Sequence, residues 1–433
     1  MQKIPILIRH ASQLVTLQGS SDAPLAGKRM EELNIIEDGS VWLENGVIKA
    51  VGTDEEVFNL CNDRIEEALI IDAAGKLVTP GLVEPHTHLV YSGTREMEFN
   101  MRLHGATYME IMNNGGGIYA TMAATRKATP EQLYNESKQR LDQFLVHGVT
   151  TLEAKSGYGL TLEHEIKQLE VAKLLNEHHP IDLVSTFMGA HAVPGEYKNN
   201  AESFVDLLVD NMIPEVSRRQ LAVFNDVFCE KGVFTPEQSK RILEAGIKNG
   251  LLPKIHADEI EPCGGAELAA DVGAISADHL LCTSDNGIKK MADAGVIAVL
   301  LPGTAFFLMA DPANARKMIE AGVPVALSTD CNPGSSPTMS LPFIMNLGCL
   351  WMKMTPAEVL TAVTINAAHA IDKGKEIGSI EAGKKADITI FNFPNYMGLQ
   401  YHYGMNLIHT VIKSGEIVVD GGKPIWDSTR IHS

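Results

Sequence analysis

Short apolar runs recur through the middle of the chain, each followed by a polar loop and then by a segment with helical spacing. Eight such runs can be read: Lys76–Val83, Val149–Ala154, Asp182–Met188, Val223–Cys229, Leu251–Ile255, Ala274–Ala277, Val296–Leu301 and Val323–Leu327. Strands buried on both faces read as continuous apolar stretches rather than as alternating ones. Helices are predicted between them. Thr129-Pro130-Glu131-Gln132, Thr235-Pro236-Glu237-Gln238 and Thr355-Pro356-Ala357-Glu358 are capping boxes with proline at the first helical position. Eight successive β/α units predict an α/β fold, a (β/α)8 TIM-like barrel. A doubly wound open sheet is the competing arrangement, and the strand count disfavours it.

The ends of the chain follow a different pattern. Val41–Glu44 and Val47–Val51 flank Asn45-Gly46, and Thr410–Lys413 and Glu416–Val419 flank Ser414-Gly415, both hairpin signals. Lys385–Phe391 reads as a further strand. Residues 1–75 and 381–433 are therefore expected to build one small composite β-sandwich, with residues 76–380 forming the barrel between them. Ser92–Gly117 is a long excursion after the first barrel strand, and an active-site loop is expected there. Its Gly115-Gly116-Gly117 lacks the Lys and Ser/Thr of a phosphate loop and reads as a flexible turn.

Composition narrows the partners. The chain has 433 residues and a formal net charge of −18. That balance argues against nucleic acid or anionic lipid, which need a basic face. An anionic small molecule would have to be held by a local cation against the overall field. No apolar run is long enough to span a bilayer, and Met1–Gln18 lacks the core and cleavage site of a secretory signal, so a soluble, cytoplasmic protein is expected. The six cysteines form no C-x-x-C pair and read as free thiols.

Candidate chemistry sits where the strands end. Residues i and i+2 of a strand point to one face, so His86 and His88 aim two imidazoles at one point. In isolation, two histidines after a turn are ordinary. Here further ionisable residues follow at later strand ends: His191 after the third, His256-Ala257-Asp258-Glu259 after the fifth, Asp278-His279 after the sixth and Asp330 after the eighth. The C-terminal strand ends of a barrel are where its active site lies. His86, His88, His256 and Asp330 form an N3O set suited to Zn²⁺ or Fe²⁺, with an open position for a water acidified to a pKa of roughly 7. Glu259 is expected to move the proton of that water, and His279 to hydrogen-bond the water or polarise a carbonyl. Asp330 is expected to serve catalysis as well as ligation. The expectation is metal-assisted hydrolysis of a C–N bond. His147, His164, His178 and His179 fall in helical or loop contexts and are read as having no role.

The chain resembles the amidohydrolase superfamily. The resemblance begins at Pro80-Gly81-Leu82-Val83-Glu84-Pro85-His86-Thr87-His88 and closes at Gly378–Asp387. Between them it rests on Lys155-Ser156-Gly157-Tyr158-Gly159-Leu160, Val227–Phe234, His256-Ala257-Asp258-Glu259, Ser276–Leu280 and Asp330-Cys331-Asn332-Pro333-Gly334-Ser335. It implies one divalent metal, Zn or Fe, on His86, His88, His256 and Asp330. It also implies hydrolytic opening of a five-membered lactam that carries a propionate, with substrate contacts from Arg95, Tyr108, Tyr158, His191, Glu259, Asn332, Gly334 and Ser335. Relatives of this kind form homodimers. Arg95 agrees with the chemistry, since a guanidinium fork suits a carboxylate. Two-metal members carry a lysine at the end of strand four; here Phe228-Cys229-Glu230 stands there, with Lys231 one further on, and one metal is expected. A deaminase acting on a neutral cyclic amidine and a catalytically inert binding barrel are the rival readings.

Overall fold

The computed structural model describes residues 4–106, 110 and 116–426. Its central feature is a sheet of eight parallel strands: Leu82–Glu84, Val149–Lys155, Asp182–Ala190, Phe224–Cys229, Leu252–Ala257, Ser276–His279, Ile297–Leu300 and Val325–Leu327, paired in that order. The first and last are stitched into a barrel. Thr87 bridges Cys331 in parallel register, and the His88 N–H donates to the Cys331 carbonyl at 3.0 Å. Ser328 Oγ donates to the His86 carbonyl at 2.7 Å, and the Thr329 N–H donates to the Glu84 carboxylate at 3.0 Å.

Three of the predicted strands begin late, for one shared reason. Gly273, Gly295 and Gly322 all take the left-handed conformation after a helix. The next residue then donates back to the helix: Ala274 to Ala269, Val296 to Met291 and Val323 to Met318. This is the Schellman closure of a helix C-terminus, and it occupies the first residue of each apolar run. The predicted helix starts fare better. Thr129, Thr235 and Thr355 each complete a reciprocal capping box with proline in the first turn.

The run Lys76–Val83 does not lie in the barrel as a whole, which corrects its reading as a single barrel strand. Leu77–Pro80 pairs with Ile388–Phe391 and with Gln13–Val15 in an outer seven-stranded sheet, and only Leu82–Glu84 enters the barrel. A second, four-stranded sheet comes from the N-terminal segment. Ile6, Ile8, Val41 and Leu43 of that sheet bury against Leu14, Val78, Ile388 and Ile412 of the other. The two predicted hairpins form, with Asn45-Gly46 and Ser414-Gly415 at positive φ in their turns. Their tips touch: a Cβ on Gly46 would lie 3.1 Å from the Ser414 carbonyl oxygen.

Inward-facing positions of the barrel change character with height. Strand five presents Leu252, Lys254 and His256 inward; strand four presents Phe224, Asp226 and Phe228. The lowest of these joins Val184, Ile297 and Ala326 in an apolar floor, sealed by Ala367, Ala368 and Ile371. One layer up the interior is ionic, and above that come the imidazoles.

Candidate active site

Five side chains from strand ends one, five, six and eight converge above the ionic layer. His86 Nε2 lies 3.4 Å from Asp330 Oδ1, and His88 Nε2 lies 3.8 Å from the same oxygen. His86 and His256 have ring centroids 4.6 Å apart, and His256 and His279 5.1 Å. Ligand atoms of His86, His88 and Asp330, and those of His86, His256 and His279, fall within 4.8 Å of one another. All five residues are buried. Burial holds His86, His88 and His279 well below the ordinary imidazole range, as neutral rings with lone pairs to offer.

The backbone at these strand ends is unusual. Asp258 (φ 50°), His279 (φ 76°), Leu280 (φ 61°) and Asp330 (φ 53°) all occupy the left-handed region. Such conformations cost energy in residues with a Cβ and persist where the surroundings enforce them. Asp258 shows the enforcement. Its carboxylate accepts the backbone N–H groups of Cys263, Gly264, Gly265 and Ala266. It therefore shapes the turn after His256 and does not enter the cluster.

Partners behind the rings fix their direction. His86 Nδ1 lies 2.6 Å from Asp278 Oδ2, and His256 Nδ1 lies 3.1 Å from Asp226 Oδ1. An ionised carboxylate only accepts, so Nδ1 carries a hydrogen toward it and Nε2 faces the cluster; burial works against the charged form of His256, but the Asp226 carboxylate outweighs it and raises that ring above the ordinary imidazole range. Thr304 donates to Asp330 Oδ2 at 2.6 Å, which leaves Oδ1 facing the same point. Among the described residues, His86 Nε2, His88 Nδ1, His256 Nε2, His279 Nδ1 and Asp330 Oδ1 are buried with no hydrogen-bond partner. A buried acceptor without a partner is costly, and most find one. Of these, His86 Nε2, His256 Nε2 and Asp330 Oδ1 face the cluster, and with His88 Nε2, which lies 3.8 Å from Asp330 Oδ1, they fit a donor set for a cation.

The cluster opens onto a cavity of about 650 Å³ lined by His88, His191, His256, Glu259, His279 and Asp330 on one side. Arg95, Tyr158, Asn332, Gly334 and Ser335 line the rest of it, together with Arg102 and Phe228. Tyr108 lies outside the described residues. Glu259 Oε1 stands 3.5 Å from His279 Nδ1. Burial, and next the nearby Asp330 carboxylate, push Glu259 up to about 8. His191 stacks on His88 with centroids 4.6 Å apart and planes 11° from parallel. Burial, reinforced by His256, holds it down at about 3.

The Gly157–Leu160 turn is built from below by a carboxylate that the sequence reading passed over. Buried Glu165, on the helix Leu162–His178, accepts the N–H groups of Gly157, Gly159 and Leu160 at 3.0, 2.7 and 2.8 Å. Tyr158 is thereby presented to the cavity, with its ring 5.6 Å from His88. Asn332 lines the cavity, but its amide is used within its own loop: Oδ1 accepts from Gly334 and Ser335, both at 2.8 Å, and Nδ2 donates to the Asp330 carbonyl. Arg95 precedes the helix Glu96–Leu103 and donates twice to Glu98, at 2.9 and 2.8 Å, while Glu98 also accepts the Gly117 N–H. The Arg95 guanidinium lies directly over Gly334, where a Cβ would collide with Nη1.

The residues missed by the sequence reading are those behind the histidines: Asp226, Asp278 as a partner of His86, and Thr304. Asp226 sits two residues before inward-facing Phe228, inside a run read only as apolar.

With this geometry fixed, comparison with known proteins places the chain. The amidohydrolase family model matches residues 77–418. The chain is 73% identical to an imidazolonepropionase of Brevibacillus brevis over 419 residues, 97% of this chain and 99% of that one. It is 68% identical to an imidazolonepropionase of Geobacillus kaustophilus over the same shares. The chain belongs to the imidazolonepropionases of the amidohydrolase family. The fold agrees: the zinc complex of atrazine chlorohydrolase from Arthrobacter aurescens superposes with a TM-score of 0.71 over 98% of both chains at 18% identity. At that identity the likeness speaks for the fold alone. Family membership makes this chain a metal-dependent hydrolase, and the unpartnered donors above are the residues on it that fit a divalent cation. Among the described residues no helix is long and apolar enough to cross a membrane.

Proposed function

We propose that the enzyme hydrolyses 4-imidazolone-5-propanoate to N-formimino-L-glutamate, with one divalent cation, Zn²⁺ or Fe²⁺, held by His86, His88, His256 and Asp330. The observation that carries this reading is the set of unpartnered buried donors at the mouth of a cavity that also holds Arg95. When bound, the cation supplies Lewis acidity and acidifies a water. Water adds across the lactam C–N bond: the carbonyl carbon gains oxygen and becomes a carboxylate, and the ring nitrogen leaves with a proton. Glu259 takes the proton from the attacking water and returns it to the leaving nitrogen, a task for the carboxyl that lines the cavity beside His279. His279, buried and neutral, steadies the water and the carbonyl. Tyr158 and His191 pack against the ring. Arg95 holds the propionate, and its alignment by Glu98 leaves one face of the guanidinium for the substrate.

Lys231 pairs with Glu261 at the surface, 2.7 Å away, and stands apart from the cluster, which supports a single cation. The six free cysteines suit a reducing compartment, and we assign the enzyme to the cytoplasm. Phe306, Leu350 and Tyr401 are large exposed apolar side chains next to the helix Leu341–Leu350, in keeping with a homodimer. Sedimentation velocity is expected to give twice the 47.0 kDa chain mass; a monomer at micromolar concentration removes the dimer.

The deciding experiment combines elemental analysis with an assay on 4-imidazolone-5-propanoate. About one divalent ion per chain and formation of N-formimino-L-glutamate are expected. Ammonia release from a neutral cyclic amidine, with no ring opening of the anionic lactam, overturns the reading in favour of a deaminase.

Arg95→Ala is expected to raise KM by about 10–100-fold, the equivalent of one or two tenfold steps of about 1.4 kcal/mol for a charge-assisted contact. Metal content should not change. Gly334→Ala, which forces the guanidinium off its seat, is expected to raise KM in the same direction. An unchanged KM in both variants shows that the propionate is held elsewhere.

A further inference from the structure

Beneath the imidazoles lies a layer of buried charge that the proposed chemistry does not use. Lys155, the last residue of the second barrel strand, has a fully buried ammonium. Its Nζ lies 2.7 Å from Asp226 Oδ2, 3.0 Å from Glu153 Oε1 and 3.4 Å from Asp278 Oδ2. Two of these contacts are hydrogen bonds, to Asp226 and Glu153, and the third is an ion pair with Asp278. Lys254 closes the layer from the other side: its Nζ lies 2.8 Å from Glu153 Oε2 and 3.2 Å from the carbonyl of Pro85, the residue before His86.

Two of the three carboxylates on Lys155 are the ones behind the histidines. Asp226 gives Oδ2 to Lys155 and Oδ1 to His256, and Asp278 approaches Lys155 with the same oxygen that meets His86. We infer that Lys155 is a positioning residue for the metal centre: its ammonium pins Asp226 and Asp278 so that one cation aims His86 and His256, which come from different strands, at a common point. The inference rests on the proposed roles of those two histidines as metal ligands.

The physical case is one of constraint. Asp226, held by Lys155 at Oδ2, presents Oδ1 to His256 as a fixed acceptor, whereas Asp278, whose Oδ1 accepts from Ser276 Oγ at 2.6 Å, is drawn by the ammonium at the same Oδ2 that meets His86. Asp226 and Asp278 carry like charge and reach toward the same place from strands four and six. Without the ammonium between them they repel: His256 loses its fixed acceptor, and the Asp278 oxygen that meets His86 loses the cation beside it. Partners of this kind behind a ligand typically affect metal affinity by 10–100-fold. A purely electrostatic role predicts the opposite sign. An ammonium under a divalent cation repels it, so removing the charge alone would tighten binding.

The test is the zinc dissociation constant, by competition with a chromophoric chelator, and the visible spectrum of the cobalt-loaded protein at saturation. Lys155→Met is expected to weaken zinc binding by about 10–100-fold and to alter the cobalt bands, which report ligand geometry and are not moved by a general loss of stability. Lys155→Met/Glu153→Gln, which removes one charge of each sign, is expected to do the same in a more neutral interior. Equal or tighter zinc binding with an unchanged cobalt spectrum overturns the inference and leaves the metal reading intact. Wild-type protein that binds no zinc, or His256→Ala that binds it as wild type does, takes down the metal reading itself. Independently of any variant, ¹⁵N resonances of the metal-free wild type are expected to report a hydrogen on Nδ1 of both His86 and His256. An Nε2–H tautomer at either ring overturns the inference even if neither lysine variant folds.

Discussion

Glutamine in place of Glu259 is expected to leave the metal content at the wild-type level and to lower kcat by about 10²–10⁴-fold, the usual range for loss of a proton-transferring side chain. The amide is nearly isosteric, keeps the contact with His279 within reach and cannot accept or return the proton. Glu259 lies three residues beyond His256, past the left-handed turn at Asp258, and stands beside the donor cluster rather than within it. Loss of metal is therefore not the expected route of inactivation. Elemental analysis of the variant beside steady-state kinetics separates the two. Near-normal turnover would remove Glu259 from the reaction; parallel loss of metal and activity would make it a ligand.

Stripping the metal is expected to abolish turnover reversibly and to lower Tm. In the proposed site the ligand atoms of His86, His88, His256 and Asp330 would lose the cation between them, and their mutual arrangement would be left to hydrogen bonds behind the rings. A ligand that binds only the folded state stabilises it by RT ln(1 + [L]/Kd), about 4 kcal/mol at a thousandfold excess over Kd. Calorimetry of the chelator-treated enzyme, before and after zinc is restored, measures this directly. Full activity in chelator-treated protein, or a Tm indifferent to zinc, would show that the cluster serves another purpose.

How much of this was legible in the sequence depended on which residues face inward. The eight parallel strands could be read because strands covered on both sides are apolar on both sides. The histidines and Asp330 could be read because they follow those strands. The residues inside the strands could not be read in the same way. Glu153, Lys155, Asp226 and Lys254 sit at inward positions of strands two, four and five, where their neighbours' side chains neutralise them. Nothing in a single strand announces such partners, because each ion pair joins segments far apart in the chain.

The division of Lys76–Val83 between two sheets was hidden for a related reason. Leu77–Pro80 and Leu82–Glu84 are equally apolar and equally buried, but under different covers. Gly81 marks the break, since a Cβ there would collide with Thr150. The role of Asn332 was only partly legible: its motif marked the cavity, but the amide's use in shaping its own loop emerges only from the geometry.

The pairing of Leu77–Pro80 with Ile388–Phe391 has a consequence for how the protein is made. While the ribosome is still elongating the chain, the N-terminal strands have no partner on that side, because the segment that covers them emerges only after every barrel strand has been made. Long-range pairing of this kind slows folding and leaves strand edges open to aggregation. Nascent chains arrested before residue 388 are accordingly expected to be protease-sensitive over their first eighty or so residues, even where the barrel strands have begun to assemble.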